Sequence, residues 1–249
     1  MDPQAFFNKF RFDLSLIGAR GIEREFVLVD QDGIPVPRGQ EFLTRVDDER
    51  WTFELSACQV EHRTRPHISR DALREDLIAG QSQGQRVVEQ LGLRLVAMEV
   101  TPEHLPLYVT PNERYRDMTK ELSPLDLKNA SRVAGVHIHR GAGNIEHALY
   151  IYNRVVERFD NLLQRGDHSA GERVRLYSSV VSNWRPPFYK SPRHFYEVAC
   201  EQNFAEKPRR CLHLIRMSEY GTVELRTFGA TESVDEVLGW ADEVERIIA

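Results

Sequence analysis

Residues 21–30, Gly-Ile-Glu-Arg-Glu-Phe-Val-Leu-Val-Asp, alternate as a β-strand does. Side chains on a strand point to opposite faces with period two, so Glu23 and Glu25 share a face with Val27 and Val29, while Ile22, Phe26 and Leu28 take the other. Asp30-Gln31-Asp32-Gly33 supplies turn chemistry, and Pro35 and Pro37 predict irregular chain beyond it. Residues 51–64 read as extended structure ended by Pro66. There Glu54 and Glu61 lie an odd seven positions apart, so one regular strand would split them between faces. Either a bulge corrects the parity or Glu54 belongs to a turn.

From Ser69, a predicted N-cap, to Gly92, a predicted C′ residue, the spacing predicts a helix. Its stripe is Leu73, Leu77, Gly80, Gly84, Val87 and Leu91, with glycines where the helix would lie close against a sheet. A strand follows over 93–100, then a stretch with four prolines over 101–124 that reads as loop. Gly135-Val-His-Ile-His139 is a short strand with Val136 and Ile138 on one side, and His137 and His139 on the other. Asn144 caps a helix predicted to run to Gly166, and residues 172–190 read as a strand leading into Pro186-Pro187. Ser191-Pro192 starts a short helix. Cys211–Met217 and Thr222–Phe228 form a hairpin, whose second arm carries Glu224 and Arg226 on one face. Ser233 with Glu236 reads as a capping box for a last helix.

Composition narrows the class. The chain has 249 residues, 41% hydrophobic and 29% charged, with 33 basic against 38 acidic side chains and a net charge of −5. No basic excess favours nucleic acid or an anionic membrane. Three separated cysteines without a CxxC pair fit a reducing cytoplasm. No signal-peptide core or membrane-length apolar run is present. Without an internal repeat or linker, residues 1–249 are expected to form a single domain, and its oligomeric state is left open.

Each strand is apolar on the side helices could cover and ionisable on the side left open. If they share one sheet, Glu23, Glu25, Glu61, His137, His139, Glu224 and Arg226 converge, joined by Glu54 if the parity allows. Two carboxylates 4 Å apart repel by roughly 4 kcal/mol at an effective dielectric near 20, so cations must answer them. Oxygen donors with an imidazole suit Mg²⁺ or Mn²⁺. The Walker phosphate loop, dinucleotide fingerprint and HExxH zinc motif are all absent.

Four stretches, 21–26, 60–64 (Val-Glu-His-Arg-Thr), 135–139 and 222–231 (Thr-Val-Glu-Leu-Arg-Thr-Phe-Gly-Ala-Thr), stand in the order found in carboxylate-amine ligases. The chain thus resembles the glutamine synthetase and glutamate-cysteine ligase superfamily, and most of all its compact amidoligases. The resemblance implies an α+β fold: an antiparallel sheet curved into a funnel, with helices on its outer face. It also implies ATP and two or three Mg²⁺ ions, and an ATP-dependent ligase that activates a small-molecule or peptide carboxylate as an acyl phosphate for attack by an amine. By position, Glu23, Glu25, Glu61, His137 and Glu224 would be metal ligands, and Glu54 a further ligand or amine-site residue. His139 would touch nucleotide phosphate, and Arg226 would hold phosphate or the substrate carboxylate. Two rival readings stay open: a metal-dependent hydrolase on the same carboxylates, and a non-catalytic scaffold.

Overall fold

Alternation along the strands and the apolar stripes of the helices meet on one face of a seven-stranded antiparallel sheet. The structure, a computed structural model, describes residues 2–249 apart from the side chains of Arg114 and Met118. The strands are β1 (Arg20–Val29), β2 (Trp51–Phe53), β3 (Gln59–Arg63), β4 (Arg94–Val96), β5 (Gly135–Gly141), β6 (Ile215–Ser218) and β7 (Thr222–Gly229). Their order is β2-β3-β1-β5-β7-β6, with β4 also paired to β1, and β2 and β6 stay open edges. The helices are α1 (Pro3–Phe7), α2 (Gly39–Val46), α3 (Arg70–Gln90), α4 (Glu113–Thr119), α5 (Pro124–Arg132), α6 (Ile145–Val156), α7 (Phe159–Arg165), α8 (Glu172–Val180), α9 (Pro192–Glu201) and α10 (Val234–Ile248).

Two apolar clusters fill the space between sheet and helices. The larger joins Ile22, Val136, Ile138, Leu225 and Phe228 to α6, α7, α9 and α10. The smaller packs Phe26, Leu28, Val60 and Trp51 against α2 and α3. On the opposite face Val27, Val29 and Cys58 form a small apolar plug beside the acidic positions. All three cysteines are free thiols. Among the described residues no helix is long and apolar enough to cross a membrane.

The signals on α3 act as their chemistry predicts. Ser69 Oγ accepts from the Ala72 N–H, and Gly92 closes the helix at φ +66°. A Cβ on Gly80 would stand 2.1 Å from the His62 ring, and one on Gly84 2.8 Å from Trp51, so both glycines let the helix lie on the sheet. On α10 only half of the capping box forms. Ser233 Oγ accepts from the Glu236 N–H, but the Glu236 carboxylate turns to His168 Nε2 at 3.0 Å.

Several expectations need correction. Residues 172–180 are the helix α8, not a strand. Residues 101–124 hold α4, capped by Asn112, and the start of α5, where Pro124 sits at a helix N-terminus capped by Ser123. A proline there costs no hydrogen bond, so it marks a beginning rather than a loop. Beyond Pro37 the chain forms α2, which buries Phe42 and Val46. The helix expected over 144–166 is two, with the Arg158 N–H turning to Val155 O at the junction.

Candidate active site

The face away from the helices carries a band of ionisable groups across five strands. Glu25 stands opposite Glu61, Glu23 opposite His137, His139 opposite Glu224, and Glu224 opposite Arg216 of β6. Glu54 follows β2 by one residue, and the turn to β3 resolves its parity with Glu61. All eight residues expected at a site therefore lie in one region.

A bulge aims Arg226. Between the pairs Val136–Phe228 and Ile138–Leu225, β5 spends one residue, His137, where β7 spends two, Arg226 and Thr227. The extra residue lets Glu224 and Arg226 face the site while both Leu225 and Phe228 reach the core. Phe228 then stacks on Trp240 at 4.8 Å.

The band divides into three parts by how its charge is answered. At one end Glu224 is almost fully buried, and Arg216 grips it with a two-pronged fork, Nε to Oε2 at 2.7 Å and Nη2 to Oε1 at 3.0 Å. Arg226 Nη1 adds a third bond at 2.9 Å. Burial alone would raise the Glu224 pKa, but Arg216, His139 and Arg226 outweigh it and hold the carboxyl far below its usual range. The same carboxylate helps to raise Arg226 against the cost of its own burial.

In the middle, Glu23 Oε2 meets His137 Nδ1 at 2.9 Å, and Glu23 Oε1 lies 3.4 Å from His139 Nε2. Burial opposes the Glu23 charge, yet the two imidazoles keep its pKa well below normal. Burial, then Arg226, lowers His137 to about 4, so it is a neutral ring. Burial pushes His139 the same way, but Glu23 and Glu224 reverse it and raise its pKa. His139 Nδ1 is bonded to Thr222 Oγ1 at 2.9 Å, whereas Nε2 is buried without a hydrogen-bond partner.

At the far end the carboxylates face one another. Glu25 Oε2 accepts from the Gly135 N–H at 2.6 Å, and Arg63 Nε lies 3.7 Å from Glu61 on a half-exposed side chain. That is too little compensation. Burial, with Glu54 beside it, lifts Glu25 to about 8, and burial with Glu23, Glu54 and Glu25 lifts Glu61 well above the carboxylate range. Protons stand where cations would.

The donor set fits hard divalent ions. Three groups each bring candidate ligand atoms within 4.8 Å of one another: Glu25, Glu54 and Glu61; Glu23, Glu61 and His137; Glu23, His139 and Glu224. Oxygen donors with one imidazole at most are the chemistry of Mg²⁺ and Mn²⁺. His139 Nε2, whose one close contact in this group is the Glu23 carboxylate at 3.4 Å, faces the third group, so His139, expected at phosphate, also stands where a ligand would. Sequence reasoning missed Arg216, the fork on Glu224. Its signal was the hairpin, since a turn over 218–221 pairs 216 with 224. Arg173 on α8 was missed as well.

A family model described as glutamate-cysteine ligase family 2 matches residues 19–160, more than half of the chain. That span takes in β1 to β5 and every candidate residue except those on the β6–β7 hairpin. A "Putative glutamate--cysteine ligase 2-2" of Mycobacterium sp. (strain KMS) is 32% identical over 171 residues, 66% of this chain and 45% of that protein. One of the same description from Mycolicibacterium vanbaalenii is 28% identical over 243 residues, 89% of this chain and 65% of that one. The chain spans about half the length of the curated relatives it matches. A bifunctional glutathione synthetase from Pasteurella multocida superposes with a TM-score of 0.63 at 15% identity, over 94% of this chain and 38% of that one. A structure described as "Apo GmaS without ligand" gives 0.51 at 14% identity, over 92% and 54%. At such identities the likeness is one of fold, and the α+β architecture is that of glutamine synthetase-like ligases.

Proposed function

Since the chain belongs to glutamate-cysteine ligase family 2, we propose that it joins a carboxylate to an amine at the expense of ATP, acting as one domain. The observation that carries this reading is the Glu25–Glu54–Glu61 cluster, whose carboxylate oxygens lie within 4.8 Å of one another and, together with burial, raise the pKa values of Glu25 and Glu61. A γ-phosphoryl group would pass to the substrate carboxylate and leave ADP; the amine would then attack the acyl carbon, expel phosphate and lose a proton. Divalent ions, when bound, would neutralise charge on the phosphoryl group in flight.

The chain's own residues divide this work. Glu25, Glu54 and Glu61 would hold one ion, and Glu23, His137 and Glu224 the others. The Glu23–His137 hydrogen bond would fix the ring so that Nε2 keeps its lone pair toward the ion. His139 would reach phosphate or metal through Nε2. Arg226, with Nε buried and unpartnered, would offer a fork to the phosphoryl group or to the substrate carboxylate. Glu54, at the cluster's edge, would ligate an ion or take the amine proton.

The test is direct. Protein with Mg²⁺, ATP and a library of amino acids, peptides and amines is expected to release ADP with one carboxylate–amine pair. Arg226→Lys keeps the charge but loses the fork, so it should depress turnover more than metal affinity. A protein that neither binds Mg²⁺-ATP in a calorimeter nor forms ADP with any pair would refute the proposal.

A further inference from the structure

The bulge that aims Arg226 is held by a buried arginine from outside the sheet. Arg173 on α8 is 7% exposed, and its guanidinium donates to three main-chain carbonyls: Nε to Ala134 at 3.1 Å, Nη1 to Thr227 at 3.3 Å and Nη2 to Arg226 at 2.8 Å. Arg226 and Thr227 are the two bulge residues. A bulge disrupts its ladder locally, and buried carbonyls left off it need donors. A planar fork can serve all three at once, which a lysine ammonium cannot do in the same geometry. Ala134 immediately precedes Gly135, whose N–H holds Glu25, so one side chain braces the peptides behind both Glu25 and Arg226.

Two local features make room for this brace. A Cβ on Gly135 would stand 2.7 Å from both Arg173 Nη2 and the Phe228 carbonyl oxygen, so glycine lets the strand and the guanidinium lie this close together. The helix start is set by Gly171 at φ +85°, and Ser169 Oγ accepts from the Arg173 N–H at 2.9 Å. Burial of a charge is costly unless it is paired. Here the three carbonyls solvate it, and the carboxyl groups of Glu25 and Glu99 work against the burial that lowers its pKa.

Building on the ligase reading above, we infer that Arg173 is a positioning residue of the site: by clamping the bulge carbonyls it sets the direction in which Arg226 presents its fork to the bound anion. Arg173→Lys keeps the charge and gives up the fork. Its readout is the Nε–Hε resonance of Arg226, assigned by its loss in Arg226→Lys, which needs no nucleotide. In Arg173→Lys that resonance is expected to shift or broaden, while that of Arg24, buried on the other face, stays in place. Mg²⁺-ATP affinity is expected to fall roughly tenfold, the scale of one charge-assisted hydrogen bond. In the Arg226→Lys background the further Arg173→Lys change should weaken binding by much less than the tenfold it costs the parent.

An unmoved Arg226 resonance, or additive losses in the double variant, would overturn the inference and leave Arg173 a structural residue. If Arg173→Lys does not fold, the parent protein serves. On titration with Mg²⁺-ATP the Arg173 Nε–Hε resonance should move with that of Arg226, and an Arg173 signal that stays fixed while Arg226 moves would overturn the inference too. Should the parent bind no Mg²⁺-ATP, the ligase reading fails, while the metal-free spectra of Arg173→Lys still decide whether Arg173 aims Arg226.

Discussion

Glu61 and Glu224 carry the same side chain on the same face of one sheet, yet their surroundings make them different chemical groups. Glu224 is gripped by two arginines that hold its pKa far below the usual range; Glu61, buried and crowded by three carboxylates, has its pKa raised well above it. Their glutamine variants should therefore diverge. In metal-free protein, where burial and three carboxylates disfavour the Glu61 charge, Glu61→Gln keeps the shape and removes that charge, so stability should fall by less than about 1 kcal/mol. Glu224→Gln removes the buried carboxylate that two half-buried guanidiniums share and should cost about 1.5–3 kcal/mol, the scale of hydrogen bonds to charged groups. Urea melts of both variants measure this, and equal losses would contradict the charge assignment. Glu61→Gln should nonetheless lose most of the stabilisation that Mg²⁺ gives the parent. The acidic and histidine positions were legible in the sequence because alternation alone puts them on one face. Arg226 was legible two positions from Glu224 on the same face; Arg216 was not, because it meets Glu224 only across the hairpin.

At the scale of elements, the stripe on α3 was readable and the helix α8 was not. In α3 each buried position is a Leu, Val or Gly at helical spacing, so the sequence states its face. In α8 the buried face starts with Arg173 and continues with Leu176, so a charge sits where periodicity looks for an apolar residue. Val174 and Leu176 then mimic strand alternation. The glycines of α3 give the sharper test. Alanine at Gly80 would gain about 1 kcal/mol of helix propensity in an open helix. Here its methyl would meet the His62 ring, itself buried and packed on Trp51 with ring centres 4.9 Å apart. Overpacking of that kind costs about 1–3 kcal/mol, so Gly80→Ala should lower the urea midpoint with an unchanged m-value. A raised midpoint would show that the helix does not lie as close to β3 as the structure has it.

Across the whole molecule, the antiparallel sheet with one greasy and one ionisable face followed from alternation and from four motifs in order, whereas which helix braces which strand is set by contacts far apart in sequence. That division leaves a charged face whose balance depends on what binds it. Glu25 has a folded-state pKa of about 8, above its ordinary 4.5, so between these values the metal-free folded protein keeps a proton that the unfolded chain releases. The contribution is fully present below pH 4.5 and is lost as pH rises to 8, by up to about 1.4 kcal/mol per pH unit for such a group. Raised acids thus make metal-free protein less stable toward alkaline pH. A divalent ion entering the cluster must displace that proton, so its apparent affinity should climb about tenfold per pH unit for each proton released, levelling near pH 8. Melting temperatures with and without Mg²⁺ at pH 6, 7 and 8 should therefore separate progressively, and calorimetry in two buffers of different ionisation enthalpy should count the protons. A Mg²⁺-induced shift equal at pH 6 and pH 8, with no proton release, would mean that the ions bind elsewhere and that the three carboxylates are not their cradle.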